Sequence, residues 1–93
     1  MFALSSSIHT TSYAADPIAG EKIYRQNCAT CHGDRGRGVI PNTPDFSRGE
    51  GLFQPDPELL RYIQQGRRAM PGFDTILTDR EIIDVIAHLR TLF

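Results

Sequence analysis

The sequence contains no tryptophan and a single lysine, Lys22. Cysteine occurs twice, at Cys28 and Cys31, and methionine twice, at Met1 and Met70. With three histidines and no second cysteine pair, the chain is poorly supplied for a structural zinc site, which takes about four protein ligands. Charge is balanced, ten basic residues against eleven acidic, for a formal net charge of −1, so nothing global points to nucleic acid. No stretch approaches the roughly 20 apolar residues of a membrane-spanning helix. No segment argues for a strand, and no internal repeat is present. At 93 residues the chain has room for one small domain, whose limited core commonly needs a disulfide, a metal or another staple.

Residues 1–15, MFALSSSIHTTSYAA, contain no Asp, Glu, Lys or Arg, and charge begins at Asp16. Ser12 and Ala14 stand at −3 and −1 of a signal-peptidase cut. A basic n-region is missing, however, and MFAL is short for an apolar h-region. Residues 1–15 therefore read as a signal peptide or a disordered tail, with the folded domain over 16–93.

Asp16-Pro17 is a helix start, with Asp as N-cap and Pro at the first helical position. That helix is expected to reach about Asn27, with Gly20 one turn from Tyr24 and reserved for close helix packing. Asp56-Pro57 repeats the signal, Leu59, Leu60 and Ile63 follow as an apolar stripe, and Gly66 is the stop. Thr78-Asp79-Arg80-Glu81 is a capping box. Ile82, Ile83, Val85, Ile86, Leu89 and Leu92 continue it as the strongest amphipathic pattern in the chain. Gly20 and Tyr24 are expected to meet this last helix around Ile86, Leu89 and Arg90. Between the helices lie two long loops, 33–51, rich in Gly and Pro, and 67–77. Loops of this length are unusual in a compact domain. The helices supply a thin core for so much irregular backbone, which implies that a large apolar object fills the middle.

Residues 28–32 read CATCH. A disulfide between Cys28 and Cys31 would close a very small loop and stabilise little. A thioredoxin-like redox pair calls for a βαβ setting that is missing here. C-x-x-C-H is the signature of covalent haem attachment. Thiols at i and i+3 lie on one side of a helical turn, where both can add to the two vinyl groups along one haem edge. His32 then follows directly beneath the ring plane. A tethered haem would also be the missing core.

The chain resembles the class I cytochromes c, especially the small bacterial and photosynthetic forms, over nearly all of 16–93. The parts occur in order: a first helix with Gly20 and Tyr24, CATCH, a Gly/Pro-rich loop, a short helix, Met70-Pro71-Gly72-Phe73 in a loop, and a last helix. The resemblance implies an all-α cytochrome c fold, three or more helices and long loops wrapped around one haem c joined through Cys28 and Cys31. It implies His32 and Met70 as axial ligands of the iron. It also implies a proline carbonyl of the first loop, best matched by Pro41, as acceptor for the second ring N–H of His32. Pro44 is the fallback. Arg48, Arg67 and Arg68 have the planar fork that suits haem propionates. His9 falls in the leader, and His88 reads as a surface or helix-end residue.

The function implied is one-electron transfer between redox proteins, either as a free carrier or as a subunit of a larger oxidoreductase, without substrate conversion by the chain itself. Its home would be the periplasm or a thylakoid lumen. Arg35, Arg37, Arg67 and Arg68 would border the haem edge and favour transient docking to an acidic partner face. The alternative is a five-coordinate haem, with Met70 off the iron, that binds carbon monoxide, nitric oxide or peroxide. A haem-free interaction module would leave the loops with little to pack on.

Overall fold

Asp16 has extended backbone, and its carboxylate accepts from the N–H groups of Ile18 and Ala19, so helix α1 begins at Pro17 and runs Pro17–Asn27. The computed structural model describes residues 14–93; of the 1–15 stretch read as a signal peptide or disordered tail, residues 1–13, His9 included, lie outside the described residues. Three further α-helices follow: α2 over Ala29–His32, α3 over Asp56–Gln65 and α4 over Asp79–Leu89. A 3-10 turn, Phe46–Arg48, interrupts the first long loop. The described residues contain no named strand, only an isolated bridge between Arg67 and Met70.

Helices α1 and α4 pack against each other as the frame of the domain, and α3 rests on α4. Gly20 sits where the first two cross. A Cβ there would collide with the backbone carbonyl of Asp84, so only glycine permits the approach. One turn on, Tyr24 is 1% exposed and its ring lies against His88, centroids 5.1 Å apart. The contact includes Asp84, Val85 and His88, so it begins two residues before Ile86. His88 is buried, not a surface residue. It shares the inward face of α4 with Asp84, whose carboxylate accepts from the Asp16 N–H at 2.9 Å and ties the start of α1 to α4.

The capping box at α4 is formed as its sequence predicts, Glu81 N–H to Thr78 Oγ1 and Thr78 N–H to Glu81 Oε1. The helix ends at Leu89, however, because Arg90, Thr91 and Leu92 tighten into turns. Asp56 is not a cap. Pro55 holds that position and Asp56 is the first helical residue. Its carboxylate is engaged elsewhere, by Nε and Nη2 of Arg90 at 3.0 and 2.7 Å. Arg90 also donates to the carbonyls of Leu52 and Gln54, both at 2.8 Å, and so staples the end of α4 to the approach to α3.

Candidate functional site

The CATCH residues form a single helical turn, separated from α1 by a backbone break at Cys28. Cys28 closes α1, its N–H donating to Tyr24 O at 2.8 Å, and it also begins α2. Cys31 and His32 both return N–H bonds to Cys28 O, at 3.2 and 3.0 Å. Gly33 ends the turn with a positive φ. Tyr24 fixes the far side, its hydroxyl donating to Gly33 O at 2.5 Å. The i, i+3 thiols are therefore held on one short turn, with Cys28 half-buried and Cys31 exposed. Burial, with Cys31 beside it, pushes the Cys28 thiol up to about 11. That direction is opposite to the lowering that activates a redox thiol, and the described residues contain no strand for the βαβ setting such a pair calls for. Among the described residues, no three His, Cys, Asp or Glu side chains converge as a zinc set would.

His32 stacks on Phe46, ring centroids 4.8 Å apart and planes 23° from parallel. Phe46 is delivered by a local device. Asp45 caps the 3-10 turn through its bond from Ser47 N–H, and Phe46 N–H donates to Gly36 O at 2.7 Å. Burial lowers the pKa of His32 and so favours the neutral ring, the form that binds metal. Its Nδ1 is buried without a hydrogen-bond partner among the described residues. The Pro41 carbonyl therefore does not accept from it here, although Pro41 lies in the same site.

Met70 arrives on a short arm built against the end of α3. Gly66 closes that helix, and a Cβ on it would strike the backbone of Met70, Pro71 and Gly72. Arg67 and Met70 exchange two backbone hydrogen bonds, both at 3.0 Å. Beyond the arm, Phe73 N–H donates to Ile63 O at 3.0 Å and Asp74 N–H to Gln64 O at 3.2 Å. Two helix-end carbonyls that would otherwise lack partners are thereby satisfied. Sequence alone shows the Met-Pro pair but not this double anchorage.

These pieces enclose a cavity of about 690 Å³. That size lies within the roughly 300–1,000 Å³ of cofactor sites. Cys28, Cys31, His32, Pro41, Arg67 and Met70 all line it. Arg48 does not. The turn that buries Phe46 leaves Arg48 exposed, on the outside of the same loop. Arg68 also lines the cavity, whereas Arg35 and Arg37 are exposed and away from its walls. Phe46, Tyr62 and Phe73 are lining residues that the sequence reading missed. Tyr62 stands one turn from both Leu59 and Gln65 on α3, and its spacing from Leu59 is the signal that places it on the lining face. Two thiols, a neutral imidazole and a thioether around one mainly apolar cavity fit a covalently attached haem.

Comparison with known proteins agrees. The profile of the family described as "Cytochrome C oxidase, cbb3-type, subunit III" matches residues 15–89. Cytochrome c6 of Thermosynechococcus vestitus is 34% identical over 90 residues, 94% of this chain and 80% of the relative. Cytochrome c6 of Synechococcus elongatus is 35% identical over 78 residues, 81% of this chain and 88% of the relative. Among solved structures, cytochrome c6 of the diatom Phaeodactylum tricornutum superposes with a TM-score of 0.69 at 30% identity, over 82% of this chain and 92% of that one. The KustC0563 c-type cytochrome also has a TM-score of 0.69, at 25% identity, over 78% of this chain and 95% of that one.

Proposed function

The chain belongs to the small class I c-type cytochromes, one-haem electron carriers, and on that premise we propose that His32 and Met70 would be the two side chains that hold its iron. The presence of both side chains in one cavity with Cys28 and Cys31 is the observation that carries this reading. Haem c, attached through the two cysteines, supplies one-electron chemistry when bound. His32 contributes a ring kept neutral by burial. Met70 contributes a soft sulfur, which favours the reduced metal and raises its potential. With both ligand positions held by side chains, the chain offers substrate no open coordination site and converts none itself.

Docking falls to the cavity rim. Arg67 and Arg68 line the cavity as exposed residues, and so do the partly exposed apolar side chains of Ile40 and Tyr62. A cationic rim around an apolar patch suits a redox protein with an acidic face, met briefly. Arg35 and Arg37 are exposed but do not line the cavity. The haem is joined outside the cytoplasm, so we place the protein in the periplasm or, in a photosynthetic cell, the thylakoid lumen, after removal of a leader ending before Asp16. Among the described residues no helix is long and apolar enough to cross a membrane.

The test is carbon monoxide added to the reduced protein purified from a host that attaches c-type haem. An unchanged low-spin spectrum supports two protein ligands. A prompt spectral shift means an open or weakly held position and moves the function to ligand binding.

A further inference from the structure

Only two non-glycine residues in the described chain have positive φ, Asn42 at 67° and Arg68 at 56°. Asparagine enters that region readily, but a long side chain does so at a cost. Arg68 is the first central residue of the two-residue turn closed by Arg67 and Met70. Ala69, the second, does not have positive φ. This is the pattern of a II′ turn, which takes glycine in the place Arg68 fills. No hydrogen bond or ion pair of the Arg68 side chain within the described residues repays the strain, and the residue is exposed.

Gly66 is packed backbone to backbone on one side of the arm, and Phe73 and Asp74 are bonded to the end of α3 on the other. Opening the arm parts the Arg67–Met70 backbone pair and lifts the Met70 backbone off Gly66, and the strain at Arg68 favours that opening. We propose that Arg68 is a positioning residue for Met70: its left-handed backbone holds the arm in a strained closed form, so that Met70 yields its place on the iron to small ligands more readily than a glycine-based turn would allow. This rests on the assignment of Met70 as axial ligand.

The experiment compares Arg68→Gly with Arg68→Ala in the oxidised holoprotein, titrated with imidazole as the competing ligand. Both variants lack the guanidinium, and only alanine keeps a Cβ in the left-handed turn. Imidazole is expected to bind Arg68→Ala about threefold more tightly than Arg68→Gly, once the extra freedom of glycine in the open arm is set against the strain it relieves. Equal affinities, or tighter binding to the glycine variant, would overturn the proposal. Met70→Ala separates the two claims. If it binds imidazole far more tightly than wild type and loses the sulfur-to-iron absorption band, Met70 is the ligand and the Arg68 comparison stands alone. If neither changes, the ligand assignment fails and this proposal fails with it.

Discussion

Tyr24 and His88 show how much one side chain can decide. The Tyr24 hydroxyl joins α1 to the residue after His32, and burial, followed by the nearby Cys28 and Asp34, pushes its pKa up to about 12. It therefore stays a protonated donor at any physiological pH. Tyr24→Phe is expected to cost about 1 kcal/mol, the usual net worth of such a bond. A drop in thermal midpoint of the holoprotein measures it, and no drop would mean that Gly33 O is satisfied without it. His88 is held below its ordinary value of 6.5, first by burial, with Arg25 lowering it further and Glu21 opposing. The unfolded chain then binds the proton more readily than the folded one. The contribution of His88 is fully present above its unfolded pKa and is lost as pH falls through the lower folded value. The wild-type melting point should fall between about pH 7.5 and 5, and His88→Gln should flatten part of that fall. A slope unchanged in the variant would remove His88 from the account. The burial of His88 was legible in the helical period, three residues after Val85 and four after Asp84. Its residue type pointed outward, and the type was the wrong guide.

At the scale of elements, the legible features were those written in local chemistry. Asp16 and the Thr78–Glu81 box mark where α1 and α4 begin, because capping needs only neighbours in sequence. Asp56 offered the same signal and was misread. Its carboxylate answers to Arg90, which lies 34 residues away and which no local pattern announces. The outward position of Arg48 was likewise hidden, since it follows from a 3-10 turn that buries Phe46. Two substitutions test how the elements are joined. Gly20→Ala must part α1 from the Asp84 carbonyl and should cost about 2 kcal/mol or more by overpacking. Calorimetry of the holoprotein reads it. Arg90→Met should cost about 1–2 kcal/mol, most of it from the carbonyls of Leu52 and Gln54. Asp56→Asn should cost little, because that pair is solvent-screened. If Asp56→Asn costs as much as Arg90→Met, the ion pair and not the carbonyl staple joins α3 to α4.

The whole molecule is organised around what its own side chains do not fill. Its buried apolar residues, among them Tyr24, Phe46, Leu59, Phe73 and Leu89, are drawn from all the larger elements and several of them line the cavity. The thin helical core and long loops were visible in the sequence, and with CATCH they named the missing occupant. The route by which the chain brings Met70 to the cavity wall was not visible, because that route runs through backbone contacts of Gly66 and the carbonyls of α3. A chain with both Cys28 and Cys31 replaced by serine should lose its cooperative melt, with a near-UV signal much weaker than that of the holoprotein. A sharp transition in that variant would show that the polypeptide supplies its own core. The central claim, that one iron is held between His32 and Met70, is tested most directly by the absorption spectrum of the oxidised protein. The account expects a weak long-wavelength sulfur-to-iron band in the wild type that disappears in Met70→Ala, while the haem stays covalently attached in both. A wild-type spectrum without that band, or one that keeps it in Met70→Ala, would contradict the account.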